Sequence, residues 1–556
     1  MLILKNKNTE ILKTWDTHDF SQAVTFTIHS EEILHYHEHN NFISIFYGFL
    51  DQECPDTNIA EYVSTLIQKT GHLSFNEFYG SFIVIHFDKI KQQYLIANDA
   101  MGDFAVHFSH LENHILISDF PEALIQNNTE IDHMRLLQYF AMTKVRIGGC
   151  FFNNITQLNP GHSLTITNTS QNINRYFFPK QTIKKTRESI QSLAERFKLL
   201  IQKVIAYQTK DQKKIGILLS GGMDSTFVAA NSLKASKQVN SYSYVFPNMP
   251  DANESFWIDS MRDKGMDMHT FAGESHWPLK SPWTISLNAP INNPYRHLKS
   301  VIYQRAHSQG IKYLLTGVFA DHIYSGYIYW LVDQIKFKPI TAIKSLFQVI
   351  QNKGVMTGLR QVSPRKFSNT IYNKSPWMTH NCLSEINKHK FNIIKNNHPH
   401  TQQFDLVYGL LTAQSAWLEN EHAYKHNVFV RHPFRDRRII EFLMSLPAWI
   451  LGDINNPKKF VRYTARNVLP QTILNRVQTT TLMPLFFKGI FEKEFEKLKE
   501  VLLHPEAQWP IYVKQDLILN IIKNPNHKHK ELDLLILWQC LNFEFWRHRI
   551  KATSPK

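Results

Sequence analysis

Lys213-Lys214-Ile215-Gly216-Ile217-Leu218-Leu219-Ser220-Gly221-Gly222-Met223-Asp224-Ser225-Thr226-Phe227-Val228-Ala229-Ala230 is the stretch on which the sequence turns. The apolar run Ile215 to Leu219 predicts a buried strand. It breaks at Ser220-Gly221-Gly222, and a helical pattern resumes through Phe227 and Val228. Paired glycines let the backbone turn tightly and bring its N–H groups against a ligand. The following helix points its positive end back into that loop. Ser220 and Ser225 can donate hydroxyls to phosphate oxygens. Asp224 would repel bare phosphate, so it fits as a magnesium ligand bridging to that phosphate. Residues Leu219 to Ser225 thus read as a pyrophosphate cradle. An ordinary glycine-rich turn is the bland alternative, and the complete Ser-Gly-Gly-x-Asp-Ser string after a strand favours the cradle.

A second chemical stretch is Tyr313-Leu314-Leu315-Thr316-Gly317-Val318-Phe319-Ala320-Asp321-His322-Ile323-Tyr324-Ser325-Gly326-Tyr327. A short apolar strand ends at Thr316-Gly317, and Asp321 lies just beyond it. Ser241 to Phe246 predicts another strand, and strands alternating with helical stretches predict a parallel, doubly wound sheet. Ligands of such a sheet collect at the carboxyl ends of its strands, where Ser220, Asp224 and Asp321 would all lie. Two carboxylates from two loops can hold Mg²⁺ against a pyrophosphate. The competing reading of Asp321 is a helix-starting residue. Trp417-Leu418-Glu419-Asn420-Glu421-His422 predicts a helix with acid–base candidates, Glu419 foremost. A solvated helix face is the commoner meaning of such a cluster.

At 556 residues, with 43% apolar and 20% charged residues, the chain predicts a soluble protein of two or more domains. No run of eighteen apolar residues predicts a membrane span, and the start is too short in apolar residues for a signal peptide. Cys54, Cys150, Cys382 and Cys540 lie far apart and fit neither a disulfide framework nor a zinc site, which points to the cytoplasm. The net charge of +15 allows an acidic partner, with lysine-rich genomic bias as the equal alternative. Residues up to about Lys180 predict a β-rich unit: Phe42–Gly48, a hairpin of Gly80–Asp88 and Gln93–Asp99, a second pair of Ala105–Phe108 and His114–Asp119, then a short helix from Pro121 to Gln126. Ile190, Leu193, Phe197, Leu200, Ile201, Val204 and Ile205 repeat at helical spacing and predict a packing helix.

The Ser220–Ser225 string resembles the pyrophosphatase loop of the asparagine synthetase family, whose members cleave ATP to AMP and pyrophosphate while adenylating a carboxylate. The strand order of residues 1–180, with Asp99-Ala100-Met101-Gly102 and Pro160-Gly161-His162, resembles the glutaminase half of that family. Arg431-His432-Pro433-Phe434-Arg435-Asp436, Leu446-Pro447, Lys458, Arg462, Leu469-Pro470 and Arg476 resemble its later Arg-x-Pro-Phe-x-Asp and helix-and-loop pattern. Four departures stand out. Leu2 occupies the place of the glutaminase cysteine. Phe429 replaces a glutamate. The lysine expected after Arg476 is missing from Val477-Gln478-Thr479-Thr480-Thr481, which leaves Arg476 or Lys488 to supply that cation. The family's Gly-x-Gly-x-Asp-Glu is here Gly317-Val318-Phe319-Ala320-Asp321-His322, and its Asp-His pair resembles the lasso-peptide cyclases.

The resemblance implies a glutaminase-like, Ntn-type sandwich domain over residues 1–180 without glutaminase chemistry. It is followed over residues 181–556 by a PP-loop ATP pyrophosphatase domain of doubly wound α/β fold. It implies ATP and Mg²⁺ as cofactors, with Leu219, Ser220, Gly221, Gly222, Asp224, Ser225 and Gly317 around the nucleotide. Asp224 and Asp321 would hold the metal, and Asp224, Asp321, Arg476 and Glu419 would carry the chemistry. The expected reaction is macrolactam closure of a precursor peptide, with leader-binding and protease partners. An ammonia-dependent asparagine synthetase and a β-lactam-forming synthetase are the alternatives. A PP-loop nucleic-acid enzyme or an RNA-binding scaffold ranks lower.

Overall fold

The computed structural model describes residues 1–556 except 9, 16–21, 56–57, 113, 128, 181–187, 236–237, 281–284, 325–330, 332–334, 336–338, 356–374, 390, 394–400, 453–457, 477–479, 528 and 554–556. Ser325-Gly326-Tyr327 and Val477-Gln478-Thr479, quoted above, therefore lie outside the described residues.

The N-terminal part is two stacked β-sheets. One has the order β10-β8-β9-β3-β1-β2, built from Thr156–Leu158, Val106–Leu111, His114–Ser118, Ala23–Ile28, Leu2–Asn6 and Ile11–Trp15. The other has the order β12-β11-β7-β6-β5-β4, from Gln171–Arg175, His162–Thr167, Gln93–Asn98, Gly80–Asp88, Phe42–Leu50 and Leu34–His39. Period-two alternation explains the packing. Ile43, Ile45, Ile83, Ile85 and Phe87 meet Leu2, Leu4, Val24 and Phe26 between the sheets. Phe46, Phe82 and Val84 point the other way, onto helix α1 (Ile59–Thr70). Both predicted hairpins form, as β6–β7 and β8–β9. The predicted helix from Pro121 to Gln126 is instead a single 3₁₀ turn over Pro121–Leu124, followed by extended backbone at Ile125. Helix α2 is His133–Phe140.

The second part is a parallel sheet of order β15-β14-β13-β16-β17, from Asp267–Ala272, Gln238–Val245, Lys214–Leu218, Tyr313–Leu315 and Phe429–Arg431. The predicted packing helix is α3 (Ile190–Gln208), and it lies with α4 (Met223–Lys234) in one core containing Phe197, Ile201, Phe227 and Val228. Short α5 (Ser255–Asp259) follows β14. Helix α6 (Arg296–Ser308) precedes β16, and α7 (Ala320–Tyr324) follows it. Ile302, Tyr303 and Ala306 of α6 share a separate core with Tyr242, Val428 and Val430. The chain moves from β13 outward to β14 and β15, then returns past β13 to β16 and β17. The strand order therefore reverses between β13 and β16, which opens a crevice there.

Charged pairs join the two parts. Arg431, at the end of β17, donates to both oxygens of Asp51 at 2.7 and 2.5 Å, with both side chains buried. Lys144 meets Asp405 at 2.6 Å. The helix Glu531–Thr553 also reaches back: Tyr139 of α2 donates to Gln539 O, and the Trp546 ring meets that of Phe151 edge-on at 5.8 Å. Removing one member of a buried pair such as Arg431–Asp51 leaves a stranded charge, typically at a cost of about 3–5 kcal/mol. No helix among the described residues is long and apolar enough to cross a membrane.

Within the sandwich, His29 lies 2.7 Å from Asp119 and 3.2 Å from Glu122. Burial alone would lower its imidazole pKa. The charge and hydrogen bond of Asp119, joined by Glu122, outweigh that and raise it to about 9. The folded value lies above the ordinary 6.5, so this stabilisation is complete below about pH 6.5 and is lost as pH rises through about 9. Thermal melts from pH 6.5 to 10 should show that decline, and His29→Gln should flatten it. Parallel curves for the two proteins would contradict this account of the pair.

Candidate active site at the strand-order reversal

The cradle takes its shape from its own backbone. Gly221 adopts φ +67°, and a β-carbon there would lie 2.9 Å from Trp257 Cβ of α5, so the position demands glycine on both counts. Ser225 Oγ accepts from the Ser220 amide at 3.2 Å and lies 3.1 Å from Ser220 Oγ. Ser220 Oγ accepts from the Gly222 amide at 3.3 Å. Leu219 is tied to the neighbouring strand through Tyr242 O and Ser243 Oγ. Gly222 caps α4 without a side-chain hydrogen bond, so the first turn keeps amides for an anion.

The second loop touches the first. A β-carbon on Gly317 would stand 2.4 Å from the Ser225 amide nitrogen and 2.7 Å from Asp224 C. Thr316 Oγ1 pairs with His432 Nδ1 at 2.7 Å, which ties this loop to the residue after β17. Burial pushes the His432 pKa down to about 4, so its ring is neutral.

Asp224 and Asp321 converge on one cation, and it is Lys458. Its Nζ lies 2.7 Å from Asp224 Oδ2 and 2.6 Å from Asp321 Oδ1. Tyr324 OH donates to Asp224 Oδ1 at 2.5 Å. Burial raises the Asp224 pKa, with Lys458 opposing the rise and Asp321 adding to it. For Lys458, burial works downward, and the two aspartates overcome it and raise its pKa. Lys458 has a left-handed φ of +59°, an unusual backbone for lysine, at the N-terminal end of the helix Lys459–Ala465. Hard oxygen donors from two loops, closing on a single positive charge beside a phosphate-type loop, fit a magnesium ion held by Asp224 and Asp321.

Arg476 stands one layer behind the cradle. It pairs with Glu254 at 2.6 Å, and its guanidinium lies 4.0 Å from the Trp257 ring centre, on the tryptophan that Gly221 abuts. Arg462 fixes this segment through Leu474 O and Arg476 O. Lys488 acts on the charge of Glu274 instead.

The helix Leu410–Tyr424 corrects one expectation. Glu421 and His422 are buried, where a solvated face was expected. Glu419 is held by Lys299 at 2.5 Å and by Tyr303 OH, both from α6. Burial raises its pKa, but Lys299 and the Tyr303 hydrogen bond prevail and lower it. Glu421 pairs with Arg296 and Lys425, and His422 with Ser300. Apart from Lys425, four residues on from Glu421, these partners come from a helix more than 100 residues away, which no local pattern reveals. Lys458 was visible in the sequence only as a matched position, and its pairing with Asp224 and Asp321 was not.

Gly317→Ala should therefore separate the two loops, because the collision is with backbone and no rotamer relieves it. Isothermal titration of ATP with magnesium should show affinity lower by about tenfold or more, equivalent to about 1.4 kcal/mol, while circular dichroism stays unchanged. Unchanged affinity would mean that the loops do not act on one ligand.

Comparison with known proteins agrees with this architecture. The asparagine synthase family profile matches residues 196–548, and a glutamine amidotransferase domain profile matches residues 50–177. Similar proteins include asparagine synthetase (glutamine-hydrolyzing) 2 of Bacillus subtilis, 21% identical, covering 82% of this chain and 64% of the relative. Asparagine synthetase (glutamine-hydrolyzing) 1 of the same organism is 18% identical over 84% of this chain and 77% of its own length. Amidase chry2 of Gibberella zeae is 20% identical over 73% and 68%. The chain thus spans less than two thirds of the first of these relatives. With the asparagine synthase profile spanning well over half of it, the chain belongs to the asparagine synthase family.

Proposed function

We propose that this protein is an ATP-dependent, AMP-forming C–N ligase that closes a macrolactam on a precursor peptide. The observation that carries the ligase reading is the convergence of Asp224, Asp321 and Lys458 beside the cradle at the strand-order reversal. A substrate carboxylate attacks the α-phosphorus of ATP. Pyrophosphate leaves into the amides of Gly221 and of the first turn of α4, with Ser220 and Ser225 as hydroxyl donors. Asp224 and Asp321 would hold a magnesium ion, which would supply positive charge to that leaving group. Lys458 adds a cation on the same side, and Arg476, steadied by Glu254 and Trp257, contributes from behind the loop. An amine then attacks the acyl-adenylate and AMP departs. Lys299 and Tyr303 hold Glu419 ionised, as the acid–base candidate of this second step.

Two features favour an amine carried by the substrate over ammonia from glutamine. Asp99 spends its carboxylate on the amides of Phe82, Met101, Gly102, Asp103 and Phe104, which leaves it committed to its own turn. Leu2 is fully buried in β1. The Asp321-His322 pair favours the peptide substrate. Leader-binding and protease partners would deliver it, because a free peptide loses much entropy on being threaded. Glutamine-hydrolysing asparagine synthesis, the activity named for the Bacillus relatives, is the competing reading.

With ATP, Mg²⁺ and the precursor encoded beside this gene, together with its protease partner, mass spectrometry should find a product lighter by one water, formed in step with AMP. Glutamate released from glutamine in step with turnover, or aspartate converted to asparagine without a peptide product, would move the reading to the competing one. Asp224→Ala and Asp321→Ala should each abolish exchange of labelled pyrophosphate into ATP, and the double variant should lose little more than either alone. Exchange retained in Asp321→Ala at normal circular dichroism would remove that residue from the ligand set.

A further inference from the structure

We infer that the N-terminal sandwich clamps the Asp321 loop, with Asp103 as the positioning residue. The five amides on Asp99 fix the turn 99–104. That turn presents the Asp103 carboxylate and the Met101 carbonyl to Arg435, whose side chain is 1% exposed. Arg435 Nε donates to Asp103, Nη2 donates to Met101 O at 2.5 Å, and Nη1 donates to Val407 O at 3.3 Å. The same guanidinium lies 5.1 Å from the centre of the Phe319 ring. His432, already tied to Thr316, meets that ring edge-on at 4.9 Å, and His322 lies 5.6 Å from it.

Phe319 has φ +72°, two residues before Asp321. A bulky side chain keeps a left-handed backbone only where its surroundings over-determine it. Here the surroundings are Arg435 and His432. Arg435 in turn depends on a carboxylate from the sandwich, since a buried guanidinium without one is strongly disfavoured. Losing the Asp103 charge should release Arg435, then the Phe319 ring, then the left-handed turn. Asp321 would then leave its place on Lys458. This gives the sandwich a role at the second domain's site that needs no glutamine chemistry. The kinetic consequence rests on the ligase reading above, whereas the conformational one does not.

The test is Asp103→Asn in the full-length protein, read in two ways. Hydrogen exchange by mass spectrometry should rise about tenfold in a peptide covering 316–324 and stay unchanged in the β13–β14 core. Pyrophosphate exchange should lose about tenfold or more in kcat, with KM for ATP within about twofold. Phe319→Gly accepts the left-handed turn without help, so in that background Asp103→Asn should cost less than about threefold. Phe319→Ala keeps the backbone demand without the ring. It should reproduce the loop's exchange increase while leaving the Asp103–Arg435 pair intact, and it serves as the readout if Asp103→Asn does not fold. Unchanged protection of 316–324, a rise spread over the whole chain, or the same kinetic loss with and without Phe319 would each overturn the clamp. A wild-type protein inactive in pyrophosphate exchange would sink the ligase reading instead, and hydrogen exchange would still decide the clamp.

Discussion

Gly317 packed against the backbone of Asp224 and Ser225 is the contact on which the site depends. It brings the loop after β16 into the loop after β13, the two strands between which the sheet order reverses. Only a residue without a side chain permits that approach. With the loops in contact, carboxylates nearly a hundred residues apart in sequence fall within reach of one ammonium group. Uncompensated, Asp224 and Asp321 would repel each other, and burial already disfavours the charge of Asp224. Lys458 resolves this, at the cost of a left-handed backbone for a residue that does not favour one.

Strain thus gathers on this edge. Phe319 and Lys458 both hold positive φ, a conformation that costs of order 1–3 kcal/mol per residue when nothing offsets it. The offsets are electrostatic and aromatic. Two aspartates hold Lys458, while Arg435 and His432 hold Phe319. Because Arg435 is neutralised by Asp103 and Arg431 by Asp51, the sandwich carries part of that load. The two halves of the chain are therefore coupled through buried charge as well as through apolar contact. That coupling gives a sandwich whose Asp99 is committed to its own turn a reason to persist.

The parts of this arrangement that were legible in the sequence are the local ones. The strand, glycine turn and helix of residues 214–234 follow from apolar runs and glycine placement, and so do the two hairpins of the sandwich. Strands β1 to β4 were not anticipated. β2 and β4 lie at a sheet edge and carry polar sequences, Ile-Leu-Lys-Thr-Trp and Leu-His-Tyr-His-Glu-His, in which no buried stripe stands out. Glu419 and its neighbours looked like a solvated face because charge usually means solvent. The facing Lys299 and Arg296 of α6 compensate the buried charges of Glu419 and Glu421, with Lys425 joining them on Glu421. Lys458 matched a pattern, but its role depends on Asp224, 234 residues earlier. The left-handed turn at Phe319 is a tertiary effect, and nothing in Val318-Phe319-Ala320 signals it.

If the convergence of Asp224, Asp321 and Lys458 on the cradle serves adenylation, a substrate carboxylate oxygen must pass to the phosphate of AMP. The most direct measurement is turnover of the precursor peptide with ¹⁸O in its acceptor carboxylate, followed by mass spectrometry of the nucleotide. The account predicts AMP carrying one labelled oxygen for each macrolactam formed, with unlabelled pyrophosphate. Labelled inorganic phosphate alongside ADP, or AMP without label, would contradict it.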